Sequence, residues 1–304
     1  MAKEEREETE EDASATVAEA HEALRNHAHV HWQSPERSGD GDGDGAGSFR
    51  RIVSLVPSLS EALVSLGMSS RLVGVTSYCV HPEAAFRSLP KLGGTKDADV
   101  EAIAETQPDL VIANQEENTA RVVRKLADRG IDVWVTYPRT VREGAELLRA
   151  IAELGAEPEA IEAVVQPVFQ ALESAEARAT EGRTQRPRVF CPIWRDPWMT
   201  IARDTYIHDL IELCGGENVF PEASEGRRYP LVDLAAVERA APEVILLPDE
   251  PYAFAEKDRA ELLALDCPAA KDDRVHLIDG TLVSWYGPRI AEAIRALAPI
   301  FANS

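Results

Sequence analysis

Apolar residues along this chain come in short, dense bursts separated by longer stretches with helical spacing. "RIVSLV" opens the series at Arg51; "LVGVT", "DLVIA", "IDVWVT", "RVFCPIW", "VILLP" and "VHLID" follow. Each burst has the length and apolar richness of a strand buried on both faces. Between bursts, apolar positions recur three and four apart, as on one face of a helix. After the first burst Pro57 marks a turn, and Leu59, Ala62, Leu63 and Leu66 share a helix face that Gly67 ends. Strands alternating with helices specify βαβ units around parallel sheets, so the expected fold class is α/β.

The pattern changes between Thr140 and Glu181, where no strand-like burst occurs. That stretch is helical throughout, with interruptions expected near "GAEPEA" and Pro167. It divides the chain into an N-terminal lobe at 50–140, a linking helix at 141–182 and a C-terminal lobe at 183–304. The halves also repeat each other. "DVEAIAETQPDLVI" from Asp99 and "DLAAVERAAPEVIL" from Asp233 align without a gap, 134 positions apart. Each reads as an aspartate N-cap, an amphipathic helix, a short loop and a buried strand. Glu116 and Glu250 follow the two strands at equivalent positions.

Residues 1–49 contain 13 acids and four bases and end in "SGDGDGDGAGS". Such composition predicts an acidic, disordered tether. His27, His29 and His31 alternate within it; a metal-binding tail is one reading, and a polar, weakly helical tail is the reading preferred.

Charge narrows the function classes. The chain has 53 acidic and 32 basic residues in 304, a formal net charge of −21. A surface this acidic disfavours nucleic acid and anionic membranes. Only six of the basic residues are lysines, a halophile-like usage. The four cysteines are far apart and read as small buried hydrophobes. The N-terminus lacks the basic start and apolar core of a signal peptide, so the expectation is cytoplasmic, or periplasmic or cell-surface if the start site is misassigned.

Several stretches carry a family resemblance: "RIVSLVPSLSEAL", "LVGVT", "KLGGTKDADVEAIAETQPDLVIA", "ELCGGENVF" and "SWYGPRI". Over about residues 50–302 the chain resembles the helical-backbone substrate-binding proteins of ABC importers, and within them the cobalamin-binding branch. The resemblance implies two Rossmann-like lobes with parallel sheets, joined by a long rigid helix, with ligand held between them. It implies a non-enzymatic carrier of cobalamin or another corrinoid, with no intrinsic cofactor and no protein ligand to the metal. It further implies delivery to an ABC permease through one acid per lobe: Glu116 or Glu117, and Glu250 or Glu256.

Ligands of α/β sheets sit beyond the carboxyl ends of the strands. The loops at those ends supply Tyr78, Thr95, Lys96 and Arg139 in the first half. The second half supplies Trp194, Arg195, Trp198, Arg228, Tyr229, Tyr252, Trp285, Tyr286 and Arg289. Flat aromatic faces suit a large planar ligand, and arginines suit its carboxylates, amides or phosphate. His208, assigned to the polar side of a helix, and His276, inside a strand, are expected to be structural. Two alternatives stand beside the importer reading. One is a cytoplasmic corrinoid or metal-chelate scavenger or chaperone. The other is a hydrolase using Glu116 and Glu250 as acid and base, which requires them about 5–10 Å apart. The chain is expected to act as a monomer on a small molecule.

Overall fold

The computed structural model describes residues 21–33, 35, 49–180, 185–222 and 227–302. The chain forms two compact units: Met1–Tyr137 with Leu147–Ile161, and Pro138–Glu146 with Glu162–Ser304. Each is an α/β unit built on a parallel sheet.

In unit 1 the strands are β1 (Val30–His31), β2 (Ile52–Ser54), β3 (Leu72–Val75), β4 (Leu110–Asn114) and β5 (Val133–Thr136). Their order is β1-β5-β4-β2-β3, and every pairing is parallel. In unit 2, β6 (Arg188–Phe190), β9 (Glu217–Asn218), β10 (Val244–Pro248) and β11 (Val275–Ile278) form a parallel sheet in the order β11-β10-β6-β9. A separate antiparallel hairpin pairs β7 (Pro192–Trp194) with β8 (Met199–Thr200). Every residue of β4 and of β10 is buried. Both strands are covered on two faces, which explains why their sequences read as unbroken apolar runs rather than alternating ones.

The internal repeat extends to hydrogen-bond detail. Asp99 caps the helix Val100–Glu105, its carboxylate accepting from the amides of Glu101 at 3.0 Å and Ala102 at 3.1 Å. Asp233 caps Leu234–Ala240, accepting from Ala236 at 2.6 Å. Both loops then turn through a left-handed residue, Gln107 at φ 49° and Ala241 at φ 45°. Asp109 donates its amide to the Arg51 carbonyl, and Glu243 donates its amide to the Arg188 carbonyl, at 2.8 and 2.7 Å. In return, each acid accepts from the main-chain amide of that same arginine. Arg51 Nε donates to the Thr106 carbonyl at 3.2 Å and Arg188 Nε to the Ala240 carbonyl at 3.0 Å. One design for seating the central strand serves both units.

The segment expected as a single linking rod is divided. One helix runs Val141–Glu153. After a turn at 154–157, helix resumes at Pro158–Ala160, passes through a π-helical turn at Ile161–Val165 and continues as Gln166–Thr180. Gly155 sits at φ 129°, outside the range comfortable for other residues. The carbonyls of Leu154 and Gly155 accept from Arg71 at 2.7 and 2.9 Å instead of continuing a helix. Pro158 then occupies the start of the next helix, where its missing N–H costs nothing. The break lies at the "GAEPEA" interruption; at Pro167 helix continues.

The N-terminal stretch requires a correction. Residues 21–33, expected within a disordered tether, form a helical turn and the edge strand β1, with Val30 opposite Val133 and His31 opposite Trp134. Leu24 and Val30 are buried in the unit 1 core, and Trp32 packs against it beneath the Arg25 guanidinium, 5.2 Å away. The histidines face aspartates: His27 Nε2 lies 3.3 Å from Asp128, His29 Nδ1 2.8 Å from Asp132, and His31 Nε2 3.3 Å from Asp132. Among the described residues no group of three or more His, Cys, Asp or Glu could hold a metal ion. The acidic composition concealed three apolar anchors, Leu24, Val30 and Trp32, of which Val30 pairs with Val133, about a hundred positions further along the chain. The remainder of that stretch, 1–20, 34 and 36–48, lies outside the described residues.

Candidate functional site

In unit 2 the chain leaves β6, turns into β7 and places Trp194 at its end, 45% exposed. The loop after β10 brings Tyr252 edge-on to it, ring centroids 5.7 Å apart at 74°. Tyr252 tilts against Phe254 at 4.7 Å, and Phe254 stacks on Trp198 at 5.8 Å with planes 8° apart. Four rings thus form a ladder, solvent-facing at Trp194 and buried at Trp198 and Phe254. Edge-to-face and offset contacts of this kind each add about 0.5–1.5 kcal/mol beyond area burial. Trp198, expected to face ligand, is instead the interior end of the ladder.

Arg195 is occupied within the protein. Its guanidinium pairs with Asp258 and, at 2.5 Å, with Glu261, and lies 5.4 Å from the Trp198 ring centroid. Arg139 and Arg228 share Asp204: Arg139 Nη1 lies 3.2 Å from its carboxylate, and Arg228 Nε donates to its carbonyl at 2.5 Å. Arg228 also lies 5.3 Å from the Tyr229 ring centroid. Glu143 lies 3.8 Å from Arg139, so the two guanidiniums here face two carboxylates, Asp204 and Glu143.

A second cluster surrounds Glu250, beyond the end of β10. Ser284 Oγ donates to its carboxylate at 2.6 Å, and the Trp285 side chain hydrogen-bonds to it as well. Gly280 is required there, since a Cβ on it would stand 2.5 Å from Glu250 Cγ. Burial raises the Glu250 pKa, the hydrogen bonds from Ser284 and Trp285 oppose that, and Asp249 and Asp279 add to it. Arg289 Nη1 donates to Thr281 Oγ1 at 2.7 Å and lies over Trp285, 5.0 Å from the centroid. Trp285 and Tyr286 are each only 7% exposed, and Tyr286 packs edge-on against Tyr206 at 5.6 Å. Both were expected to face ligand; both are buried. Their apolar faces are used in packing, and the Trp285 N–H is used on Glu250.

In unit 1 the loop after β3 carries Tyr78, 62% exposed. Its ring stands so close to Gly94 that a Cβ there would come within 3.2 Å. Asn118 Nδ2 donates to the Thr95 carbonyl at 2.8 Å and to Leu55 at 3.2 Å, pinning the Thr95–Lys96 loop beside the end of β2. Lys96 Nζ donates to the Glu116 carbonyl; desolvation lowers its pKa, opposed by the charges of Glu117 and Glu116. Asn114, the last residue of β4, accepts from the amides of Glu116 at 2.7 Å and Glu117 at 3.2 Å. Both glutamates therefore sit on a fixed loop and are half-buried.

The four cysteines are free and buried. Burial pushes the thiols of Cys191 and Cys214 up to about 12. His208 lies on the buried face of its helix rather than the polar one, with Asn218 Nδ2 3.2 Å from its Nδ1 and its pKa lowered by burial. Burial also lowers the pKa of His276, in β11. Sequence reading passed over Asp204, Phe254, Asp258 and Ser284. Only Asp258 left a trace, as an acid in a first helical turn, and that signal is common to many helices.

Comparison with known proteins places these features in context. A family model described as periplasmic binding protein matches residues 52–280. The vitamin B12-binding protein of Vibrio cholerae serotype O1 is 27% identical over 244 residues, covering 80% of this chain and 86% of the relative. A crystal structure of the periplasmic vitamin B12 binding protein of Vibrio cholerae superposes with a TM-score of 0.71 at 25% identity, over 83% of this chain and 96% of the other. A periplasmic heme binding protein from Pseudomonas aeruginosa superposes with a TM-score of 0.70, also at 25% identity, over 84% and 94%. Both of those proteins are described as periplasmic, and the cytoplasmic expectation finds no support in them. Among the described residues no helix is long and apolar enough to cross a membrane. With its family match spanning most of both units, the chain belongs to the periplasmic binding protein family.

Proposed function

We propose that this chain is a non-catalytic carrier of a flat tetrapyrrole-type ligand, a corrinoid in the first instance, which it passes to an ABC permease outside the cytoplasm. One observation carries the reading: in a chain of a binding-protein family, an indole 45% exposed stands at a strand end, backed by three further rings. A ledge of stacked rings suits a large flat molecule. The names of the curated relatives support vitamin B12 as the cargo. Trp194, Tyr252 and Tyr78 are proposed as ligand contacts. Arg139 and Arg228 are proposed for its anionic or amide groups.

For the permease, Glu256 and the Glu116–Glu117 loop are proposed as the docking acids. Glu256 is exposed at a helix start, and the other two stand on a pinned loop. Glu250 is the weaker candidate because Ser284 and Trp285 already occupy its carboxylate. The same engagement weighs against Glu250 as an acid–base catalyst.

Haem is the second reading, favoured by the haem-binding structure of equal identity and by the exposed Tyr78 phenol, an oxygen donor suited to ferric iron. Titration with cyanocobalamin and, separately, with haemin tests both. Micromolar or tighter affinity for cyanocobalamin is expected, weakened about tenfold or more by Trp194→Ala. Tighter binding of haemin selects the second reading, and binding of neither ends both. Cell fractionation decides between importer and scavenger: recovery of the native protein solely with cytoplasmic markers excludes delivery to a permease.

A further inference from the structure

Asp258 stands where the two ring-bearing loops of unit 2 meet. It is fully buried, on the first turn of the helix Glu256–Leu262. One carboxylate oxygen, Oδ2, accepts from the Ala255 amide at 2.9 Å. Ala255 ends the loop that carries Tyr252 and Phe254. The other oxygen, Oδ1, takes the Arg195 guanidinium from the turn between Trp194 and Trp198. Glu261, one helical turn further on, holds Arg195 Nη2 at 2.5 Å, and the guanidinium lies over Trp198. A single buried carboxylate therefore ties together the loops that supply all four rings of the ladder. Side-chain ion pairs on open surfaces fix little, because water and entropy compete with them. A fully buried carboxylate with both oxygens engaged has no such alternative, and losing Arg195 would leave its charge uncompensated.

The geometry points to Asp258 as a positioning residue for ligand binding, acting through Arg195 on the placement of Trp194. Arg195, expected from the sequence to touch ligand, is reassigned to this role. The inference rests on the carrier reading for its affinity arm alone. Asp258 itself touches no ligand: it holds the ledge that does.

The test uses the full chain with the substitutions Asp258→Asn, Arg195→Lys and Trp194→Phe, singly and as the double variant of Asp258→Asn with Trp194→Phe. The ligand-independent readout is near-ultraviolet circular dichroism, which reports fixed aromatic rings, with far-ultraviolet dichroism confirming that each variant is folded. The Trp194 contribution, taken as wild type minus Trp194→Phe, is expected to collapse in the Asp258→Asn background. Arg195→Lys should lose less, because an ammonium keeps the charge but not the forked geometry. The second readout is cyanocobalamin affinity at a temperature well below unfolding. Asp258→Asn should weaken it about tenfold, and the double variant should be no weaker than the worse single, since residues acting through one another are not additive. If folded Asp258→Asn keeps the full Trp194 band, or if its effect on affinity adds to that of Trp194→Phe, the positioning role is overturned. Should wild type bind no cyanocobalamin, the carrier reading fails while the dichroism comparison still decides the role of Asp258. If Asp258→Asn does not fold, Arg195→Lys carries both comparisons, and an unchanged Trp194 band in it overturns the proposal.

Discussion

At the scale of single residues, burial decides most of what charge alone left open. Glu250 illustrates this. Its carboxyl is less easily ionised in the folded protein than in the unfolded chain, whose value is near 4.5, because burial outweighs the bonds from Ser284 and Trp285. A carboxyl whose pKa is raised by folding favours the folded state below its unfolded value, and that contribution is lost as pH rises through the folded one. Glu250→Gln keeps an acceptor for Ser284 and Trp285 without the charge. Relative to wild type, it is therefore expected to gain thermal stability as pH rises from about 4.5 to 7.5. Melting temperatures of both proteins across that range check this, and a difference that does not vary with pH would show that Glu250 is not titrating in that window. The sequence showed an acid after a strand in each half. It could not show that Glu250 faces Ser284 and Trp285, because that depends on how the stretch from Gly280 to Trp285 packs against the loop after β10.

Helices and strands were far more legible, wherever their signals were local. Asp99 and Asp233 were readable as caps because the capping bond spans only two or three positions, and the buried strands after them were readable from unbroken apolar runs. Replacing either cap by alanine should cost about 1 kcal/mol of stability. Asp99→Ala should cost the more, since Asp99 satisfies two amides and Asp233 one. Urea denaturation of the two variants checks the ranking, and equal midpoints would mean that the second amide bond contributes nothing. β1 was illegible for the opposite reason. Two residues in an acidic stretch carry no periodicity worth reading, and their register is fixed by Val133 and Trp134, far along the chain. The break at Gly155 could be placed from sequence, whereas the bracing from Arg71 that holds it could not.

For the whole molecule, the α/β class and the family were readable from motifs spread over both halves, because a duplicated unit repeats its signals. The division of roles among aromatic residues was not. Trp194, Trp198 and Trp285 look alike in the sequence, yet one is a ledge, one a buried stacking partner and one a hydrogen-bond donor to a glutamate. Which indole stays in solvent is settled by the loops around it, and no pattern of spacing encodes that. The net charge of −21 is a property of the entire chain and has an effect at that scale. Self-repulsion among surface carboxylates is screened over about 10 Å at 0.1 M salt and about 3 Å at 1 M. The melting temperature is therefore expected to rise steadily between those concentrations of sodium chloride. A flat or falling profile would mean that the surface acids do not strain the fold.

The edge strand at Val30–His31 bears on how the protein should be produced. A clone trimmed to the boundaries of the family match would begin near residue 52 and omit it. The outer side of Val133–Thr136 would then present bare amides and carbonyls, an invitation to pair with whatever chain is nearby. Material made that way is expected to melt earlier and to self-associate at concentrations where the longer protein stays monodisperse, a contrast that light scattering would reveal.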